Sequence, residues 1–404
     1  MKNISKPELL APAGDWKMLT AAVQAGANAV YFGVNKLNMR AKAANFKIDE
    51  LPEITAFCKE NNVDTHLTLN SILFEDDLNE LNKILEKVKS SGVNLVICWD
   101  MSVIQKCREY GIPFCISTQA SISNSGSAKM YEMLGAERIV LARECTLEKI
   151  KEIRSKTKLE IETFVHGAMC VAVSGRCFMS HHVFGKSANT GECIQPCRRE
   201  YKIIDKDGES EFLLGEDYVM SPKDLCTIEF IDKLIEAGID SFKIEGRKRS
   251  PEYISKVVST YRKAINLYFA NKLTPEVKKE MYEDLQRVYN RGFSSGFYFG
   301  VPSGEDYAIK YGSQATTRKM YVGKILNYYK KSGIAHIKLE SGNLSLNDDL
   351  YIIGNTTGVV EMKVESLVQD EKNVETALKG EEATFVCTSE IRPRDQVYKI
   401  VEAK

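Results

Sequence analysis

Short apolar segments alternate with amphipathic helical segments along the first 270 residues or so. The helical segments, such as Ile48–Asn61, Glu75–Ser90 and Thr227–Ala237, show the 3.6-residue periodicity of surface helices. Continuous apolar strands that are each followed by a helix are typical of a parallel sheet covered by helices. Eight such units predict an α/β fold with a closed (β/α)8 TIM-barrel-like domain. The eight predicted strands are Glu8–Pro12, Ala29–Gly33, Thr65–Asn70, Leu95–Trp99, Phe114–Thr118, Arg138–Ala142, Ile161–His166 and Phe242–Glu245.

An insertion from about residue 168 to residue 215 interrupts this alternation after the seventh predicted strand. It is rich in glycine, serine, cysteine and polar residues. Within it, Tyr201–Ile204 and Phe212–Leu214 predict a hairpin, to which we also assign a ninth strand candidate, Tyr218–Ser221. Long loops after barrel strands are where active sites are built, so we expect the site to involve this insertion.

The pattern changes at about Thr317 to an alternation of apolar and polar residues. Short strands separated by glycine-containing turns predict a small antiparallel β-barrel. A helical run, Pro275–Tyr289, and a glycine-rich segment precede it. The predicted domains are therefore a TIM-barrel-like domain over 1–315, which carries the cysteine-rich insertion, and a small β-barrel over 317–404.

The charge balance and the hydropathy of the chain limit which partners and which cellular location we expect. Lys+Arg and Asp+Glu number 55 each, so contact with nucleic acid requires a local basic patch rather than a global field. The first residues contain no apolar stretch long enough for a signal peptide, and no uncharged apolar run of about eighteen residues predicts a membrane span. We expect a cytoplasmic protein that does not bind membranes.

The eleven cysteines are many for such a protein, and their odd number and scatter argue against a disulfide framework. Four of them lie in the glycine-rich insertion: Cys170, Cys177, Cys193 and Cys197. Four thiolates can hold a [4Fe–4S] cluster or a tetrahedral zinc ion. Zinc is the weaker alternative, because only Cys193 and Cys197 have the short spacing of a zinc knuckle. A third alternative is that some of these cysteines are simply buried and bind no metal. Cysteines in apolar patterns are predicted to pack in cores, namely Cys58, Cys98, Cys107, Cys115, Cys145 and Cys387.

Several segments resemble one known family. The segment ETFVHGAMC (Glu162–Cys170) continues into GRCFMS (Gly175–Ser180), which is similar to the signature of the collagenase-like peptidases of unassigned catalytic type, family thirty-two. LLAPAGD, AVYFG, SFKIEGRKRSPEY and NRGFSSGFY also resemble that family, so the resemblance covers essentially the whole chain. It implies a carboxy-terminal barrel similar to domain two of translation elongation factors.

The resemblance implies hydroxylation rather than peptide hydrolysis. The better understood members of the family resemble proteins that hydroxylate the tRNA wobble uridine with prephenate, a ribosomal RNA cytidine, or ubiquinone. They share a four-cysteine cluster, which implies that Cys170, Cys177, Cys193 and Cys197 bind a [4Fe–4S] cluster here. Cys226 is a reserve ligand, because the fourth ligand can come from elsewhere in the ubiquinone branch.

The retained Cys197 and the small barrel look most like the tRNA branch. We therefore expect formation of 5-hydroxyuridine at the tRNA wobble position, with prephenate as the implied oxygen-donating cosubstrate. The implied partners are tRNA and the prephenate anion, and a homo- or hetero-oligomer with a related chain is left open.

Polar residues at the ends of predicted strands are the candidate site residues, because the site of a barrel enzyme lies at this end. His166 could transfer a proton or support the cysteine loop, and Glu162 could act in catalysis or pair with a base inside the barrel. The candidate substrate-binding residues are Asn70, Gln119, Arg143, Glu245 and Arg247. Basic groups that could bind carboxylate or phosphate, or form a solvated charge run, are Lys243, Arg247, Lys248, Arg249, Arg198 and Arg199.

Two alternatives belong to other functional classes. A peptidase would need a nucleophile or a metal, and the chain has no HExxH motif. Gly292-x-Ser294-x-Gly296 fits the G-x-S-x-G pattern, but it follows a helix rather than a strand, so we interpret it as a loop. A non-catalytic factor would bind tRNA through the small barrel and leave its nucleosides unchanged. Among hydroxylases, ribosomal RNA or a quinone is also open as the substrate.

Overall fold

The computed structural model of the chain describes residues 4–173, 176–199, 201–204, 211–214, 221–308 and 312–403. Its first unit is a barrel with a few additional strands at one end. In chain order the strands of this unit are β1 (Glu8–Pro12), β2 (Ala29–Phe32), β3 (Asp64–Leu69), β4 (Leu95–Cys98), β5 (Phe114–Ile116), β6 (Arg138–Val140), β7 (Glu160–Gly167), β8 (Tyr201–Ile204), β9 (Glu211–Leu214), β10 (Asp224–Cys226), β11 (Ser241–Ile244) and β12 (Phe293–Ser294).

Eight parallel strands close the barrel. Strands β1 to β7 pair in chain order, and β11 pairs with both β1 and β7. Every residue of β2, β4, β5, β6 and β11 is buried, because the barrel interior covers one face and the helices cover the other. Burial on both faces explains why these strands read as continuous apolar runs. The closed α/β barrel and its eight predicted strands are confirmed, with ends that differ by one or two residues.

Helices surround the barrel, and polar side chains cap several of their amino termini. Asp15 accepts a hydrogen bond from the Met18 amide at 2.9 Å, and Asp100 accepts one from the Ser102 amide at 2.8 Å. No helix in the described ranges is long and apolar enough to cross a membrane. The helices are α1 (Trp16–Gln24), α2 (Leu51–Glu60), α3 (Leu78–Ser91), α4 (Met101–Tyr110), α5 (Ser125–Met133), α6 (Leu147–Lys156), α7 (Met179–Phe184), α8 (Ile231–Glu236), α9 (Pro251–Phe269) and α10 (Pro275–Gln286), with 3-10 turns at Ile48–Glu50, Glu75–Asp77, Thr118–Ala120, Pro196–Arg198, Ile228–Phe230 and Gly304–Asp306.

The insertion contains the predicted hairpin, since β8 and β9 pair in antiparallel register. The ninth strand candidate, Tyr218–Ser221, lies outside the described residues except for Ser221. The short strand β10 was not predicted. It runs antiparallel to the end of β7, with Cys226 opposite His166, and β12 pairs with its other edge. These two strands therefore extend the sheet beside the carboxyl end of β7.

The second unit is an antiparallel sheet with its own hydrophobic core, which includes Ile325, Leu350 and Phe385. The antiparallel arrangement agrees with the alternation in the sequence. In the described part of this unit, the strand order of the larger sheet begins with β17 at one edge and ends with β19 at the other. No described pairing joins these two edge strands. The strands are β13 (Thr317–Tyr329), β14 (Ile334–Leu339), β15 (Leu344–Ser345), β16 (Asp349–Gly354), β17 (Gly358–Lys363), β18 (Val368–Gln369), β19 (Lys372–Asn373), β20 (Thr376–Ala377), β21 (Glu382–Val386) and β22 (Gln396–Glu402).

The second sheet packs against α1 and α9 on the side of the barrel. The Thr20 hydroxyl on α1 donates a hydrogen bond to the Asn355 carbonyl at 2.7 Å. Lys256 on α9 pairs with Glu361 at 3.1 Å. Polar contacts therefore fix the second sheet to two helices that flank the first barrel strand.

Candidate functional site

A pocket opens at the carboxyl end of the barrel strands, where barrel enzymes build their sites. Its lining comes from β2, β3, β4, β6, β7 and β11 and from the segments that follow β2, β3, β5, β6, β7 and β11. All five predicted substrate-binding residues lie in this lining: Asn70, Gln119, Arg143, Glu245 and Arg247. Their roles stay predictions, but the barrel brings these residues together.

Two amide side chains form a fixed polar group on one side of the pocket. The Asn70 carbonyl oxygen accepts a hydrogen bond from the Met39 amide at 3.2 Å, and its amide nitrogen donates to Ser117 at 3.3 Å. The Ser117 hydroxyl in turn donates to the Gln119 side-chain oxygen. Asn70 and Gln119 are both buried. Their donors and acceptors are therefore held in set directions before any ligand binds.

Charged side chains form another part of the pocket wall. Arg40 pairs with Glu245 at 3.4 Å. Burial alone would raise the pKa of Glu245, but Arg40, Arg143 and Arg247 hold it below its ordinary value, so this carboxylate stays ionised. Arg247 donates to Asn38 and Thr68, both at 3.2 Å, and burial lowers its pKa to about 10. Arg247 is therefore still a cation at neutral pH.

Arg143 differs from the other cations of the pocket because its side chain makes neither a hydrogen bond nor an ion pair within the described residues. Its Nε is buried without a hydrogen-bond partner in the described part of the chain. The group lies 4.1 Å from the centroid of the Phe164 ring, which holds it by a cation–π contact. An unpaired guanidinium on the wall of a pocket is suited to bind an anionic ligand.

The four cysteines of the insertion line the same pocket: Cys170, Cys177, Cys193 and Cys197. Their loop folds tightly onto the barrel at two glycines. Gly167 has φ +104°, and a Cβ there would lie 2.4 Å from the Glu245 carbonyl oxygen. Gly191 has φ +89°, and a Cβ there would lie 2.3 Å from the Asn38 carbonyl oxygen. Only glycine allows both the backbone conformation and the close approach.

Hydrogen-bond donors and cations surround the cysteine sulfurs. The Gln195 amide donates to the Cys193 sulfur at 3.4 Å, and the Ser180 hydroxyl lies 3.8 Å from the same atom. Burial raises the pKa of Cys197, Arg198 opposes that effect, and the other three thiols raise the pKa further. The Cys197 thiol therefore lies near the other three thiols and near Arg198, whose positive charge suits an anionic centre.

Arg198 fixes the base of the cysteine loop. One guanidinium nitrogen donates to the Ser221 hydroxyl and the Pro222 carbonyl, both at 3.1 Å, and the other donates to the Met169 carbonyl. Lys248 donates to the Cys193 carbonyl at 3.0 Å. These two cations from the predicted basic groups therefore hold the loop, whereas Arg249 contacts Asp224 at 4.0 Å and the Tyr289 ring at 3.7 Å.

The donor set fits a multinuclear centre better than a single ion. No three of the four sulfurs all lie within 4.8 Å of one another, among residues that the structure describes in full. A tetrahedral zinc ion with bonds of about 2.3 Å would hold its thiolates about 3.8 Å apart. In an iron–sulfur cluster each thiolate binds a different iron atom, so the thiolates are farther apart. The four thiols are the donor set of a [4Fe–4S] cluster, so the chemistry of these residues fits that group.

Cys226, the reserve ligand, does not line this pocket. It is buried on β10, where the Tyr261 hydroxyl lies 3.9 Å from its sulfur, and burial raises its pKa to about 12. A neutral thiol packed in a core is the simplest description of this residue. The six cysteines predicted to pack in cores are also buried.

Glu162 and His166, the predicted catalytic residues, lie outside the pocket lining. Glu162 is fully buried inside the barrel, where it pairs with Lys243 at 2.6 Å and with Arg138 at 3.3 Å. The His166 ring packs against Tyr261 and Phe293 on the outer side of β7, with its Nδ1 3.4 Å from the Tyr261 hydroxyl. Both positions suit a structural role. Their catalytic roles stay predictions that gain no support from this placement.

Some lining residues were missed by the sequence analysis. Arg40 lies in the segment after β2, seven residues beyond Gly33, the end of the predicted strand, so it is not one of the residues predicted at strand ends. Phe164 and Tyr31 were not distinguished from core residues. Their only signal in the sequence was their place near the carboxyl ends of β7 and β2, because the charged residues beside them, Arg143 and Lys243, come from other parts of the chain.

His66, inside the barrel, gives a testable pH dependence. Burial and the nearby Arg138 lower its pKa to about 3, Glu162 opposes this, and Lys243 adds to it. The unfolded chain, with a histidine pKa near about 6.5, therefore binds a proton that the folded chain does not, and stability falls as the pH drops from about 6.5 toward 3. Between pH 7 and pH 5, this histidine should lower the unfolding free energy of the wild type by about 2 kcal/mol. We expect His66→Gln to abolish that decrease. Urea unfolding at several pH values measures this, and equal pH slopes for both proteins would contradict it.

The G-x-S-x-G segment forms a loop contact. The Ser294 hydroxyl donates to Asp306 at 2.7 Å and accepts from the Gly296 amide at 2.9 Å. Ser294 has no histidine partner among the described residues, and it lies on a two-residue strand rather than on a strand-to-helix elbow. This serine therefore lacks the partner that activates a nucleophile.

Comparison with known families now identifies the chain. The family described as Peptidase family U32 matches residues 14–307. This chain belongs to peptidase family U32. The U32 chain is 38% identical to a protein named collagenase from Porphyromonas gingivalis, over 98% of both chains. It is 39% identical to tRNA hydroxylation protein P1 of Bacillus subtilis, over 80% of this chain and 78% of that protein.

The U32 chain is 36% identical to the 23S rRNA 5-hydroxycytidine C2501 synthase of Escherichia coli, over 64% of this chain and 39% of that protein. Among solved structures, the U32 peptidase Mk0906 aligns with a TM-score of 0.41 at 15% identity, over 60% of this chain and 94% of that one. The family membership predicted from the sequence motifs is confirmed.

Proposed function

We propose that this chain is an RNA-modifying enzyme that hydroxylates a nucleobase at the mouth of its barrel. The main support is one observation: four cysteines, two fixed amides and an unpaired arginine line a single pocket. Two relatives with substantial identity are named for tRNA hydroxylation and for 5-hydroxycytidine synthesis in ribosomal RNA. The pocket chemistry and these names favour the same class of reaction.

We propose that Cys170, Cys177, Cys193 and Cys197 bind a [4Fe–4S] cluster. Such a cluster supplies one-electron redox chemistry when bound. The Gln195 amide and the Ser180 hydroxyl would donate hydrogen bonds to the Cys193 thiolate, and Arg40 and Arg198 would offset the negative charge of the thiolates. Zinc is the alternative metal, and it is the weaker one because only Cys193 and Cys197 have the short spacing of a zinc knuckle.

The proposed base contacts come from the buried amides. A uracil edge offers two carbonyl acceptors and one N–H donor, so the Gln119 amide nitrogen could donate to a carbonyl and the second lone pair of the Asn70 oxygen could accept from the N–H group. A base inside a duplex cannot reach a pocket at the end of a barrel, so the target must be unpaired or turned out of its stack. An anticodon loop satisfies this requirement, which favours the tRNA wobble uridine as the target and 5-hydroxyuridine as the product.

The proposed cosubstrate is prephenate, whose two carboxylates need cationic partners. Arg143 is the cation of the pocket that lacks a partner within the described ranges, so we assign one carboxylate to it. Arg247 already has three side-chain acceptors, and Arg40 already pairs with Glu245. These two cations would contribute a positive field rather than a new hydrogen bond.

Nucleoside analysis tests this function. In cells that lack this protein, we expect 5-hydroxyuridine to disappear from tRNA and to return with the wild-type gene but not with a Cys193→Ala variant. Liquid chromatography with mass spectrometry of digested tRNA and ribosomal RNA provides the measurement. If only 5-hydroxycytidine in ribosomal RNA were lost, ribosomal RNA rather than tRNA would be the substrate. Unchanged nucleosides in both RNAs would reject hydroxylation of either RNA by this protein.

Peptide hydrolysis is the second candidate, and the name of the collagenase relative is the observation that favours it. The described residues offer Ser294 no activating histidine. If the purified protein cleaved gelatin equally well before and after removal of its iron, the peptidase assignment would replace the present one.

A further inference from the structure

Exposed apolar side chains concentrate on the cysteine-rich insertion. Phe178 is 72% exposed, the largest value for an aromatic side chain among the large hydrophobic residues found exposed in the described ranges. It directly follows Cys177, which lines the pocket, so it stands beside the pocket mouth. We call the exposed apolar group the rim surface, and its members are Val171, Val173, Phe178, Val183, Phe184 and Ile194.

Contacts within the insertion hold the rim surface in place. The Ser180 hydroxyl on α7 accepts a hydrogen bond from the Ile194 amide at 3.1 Å, which ties α7 to the segment that carries Cys193 and Cys197. The Arg199 guanidinium lies 4.7 Å from the centroid of the Phe184 ring. The aromatic side chains therefore project from a backbone that internal contacts fix in place.

The charge around the rim surface is positive. Residues 168–199 contain four lysine and arginine residues and one acidic residue, in a chain whose charges balance overall. The acidic residue, Glu192, pairs with Lys42 at 3.3 Å. Arg176, Lys186 and Arg199 are exposed. Exposed aromatic rings beside exposed basic side chains are the combination that binds single-stranded nucleic acid, because bases stack on the rings and phosphates pair with the cations.

We propose that the rim surface binds the single-stranded RNA that flanks the target base, with Phe178 stacked on a neighbouring base. This inference rests on the proposed function, and it names the part of the protein that holds the substrate outside the pocket. Phe184, with Arg199 against its ring, forms a second contact along the strand. The combination of rings with basic side chains favours RNA over a second copy of this chain, whose matching surface would carry the same positive charge.

Fluorescence anisotropy with a labelled single-stranded RNA of about ten nucleotides tests this proposal on the full, iron-loaded chain. We expect Phe178→Ala to weaken binding by about tenfold or more, and Phe178→Trp to retain it, because stacking needs only an aromatic face. Phe184→Ala should weaken binding by a smaller factor. The matched control is Phe269→Ala, which removes an exposed ring at the end of α9, away from the insertion.

Iron content and the cluster absorption of each variant are measured in parallel, since Phe178 lies next to a proposed ligand. Weaker RNA binding at unchanged iron content supports the proposal. Equal binding by wild type and Phe178→Ala overturns it but leaves the proposed hydroxylation intact, whereas a wild-type chain that binds no RNA overturns both. A change in oligomeric state on gel filtration with unchanged RNA binding would reassign the rim surface to self-association and overturn the proposal.

Discussion

Cys193→Ala is expected to remove the iron from anaerobically purified protein, together with the absorption near roughly 400 nm that thiolate-ligated iron–sulfur clusters give. Among the four proposed ligands, Cys193 is the one whose sulfur accepts hydrogen bonds from two assigned donors, the Gln195 amide and the Ser180 hydroxyl. Its carbonyl is also held, by Lys248. Removing this thiol takes one of four ligands from a site with few spare donors, so we expect complete loss of the cluster and of hydroxylation.

Cys226→Ala is the matched control for this experiment. Cys226 is also a cysteine near β7, but its buried thiol packs beside Tyr261 and does not line the pocket. We expect this variant to retain iron and activity, with a small loss of stability from the missing sulfur. If the control lost its iron while Cys197→Ala kept it, Cys226 would be the fourth ligand. If Cys193→Ala kept a full complement of iron, the proposed ligand set would be wrong.

The second large effect is expected at Arg143. Replacing this residue by glutamine should weaken prephenate binding by about a hundredfold, because a charge-assisted pair with a carboxylate contributes about 2–3 kcal/mol. Arg143→Lys should give an intermediate loss, since lysine keeps the charge but lacks the planar fork of donors and the stacking on Phe164. Calorimetric titration of the iron-loaded protein with prephenate measures the three affinities.

The control for Arg143 is Arg108→Gln, which removes an exposed cation from the outer surface of α4. Its affinity for prephenate should equal that of the wild type. An Arg143→Gln variant with unchanged affinity would show that the carboxylates bind elsewhere. Unchanged RNA binding by the same variant would establish that the rest of the site is intact.

The barrel was predictable because its strands are buried on both faces. Continuous apolar runs such as Leu95–Cys98 carry a strong signal, and all eight predicted strands take part in the closed sheet. Strands β10 and β12 were not predictable in the same way. They have three and two residues, and their pairing depends on where the long insertion returns to the barrel.

The pocket was partly predictable from the rule that barrel sites collect at strand ends. The rule correctly grouped Asn70, Gln119, Arg143, Glu245 and Arg247 in one lining. The rule failed for His166, which lies outside the lining. The pairing of β7 with β11 shifts register next to this residue: Phe164 pairs with Lys243, but His166 pairs with Ile244. This irregularity breaks the alternation of side chains along the strand, so His166 lies against α9 while Phe164 faces the pocket.

The contact between Arg198 and the two ends of the insertion has a consequence for how this site can diversify. The Arg198 guanidinium binds the Met169 carbonyl as well as Ser221 and Pro222. The two ends of the insertion therefore lie side by side, and the chain between them forms a loop that this contact closes. The entropic cost of a longer closed loop grows only logarithmically with its length. The hairpin β8–β9 can therefore be lengthened, shortened or exchanged without moving the cysteines. Related enzymes could acquire new substrates in this segment while the chemistry beneath it stays the same.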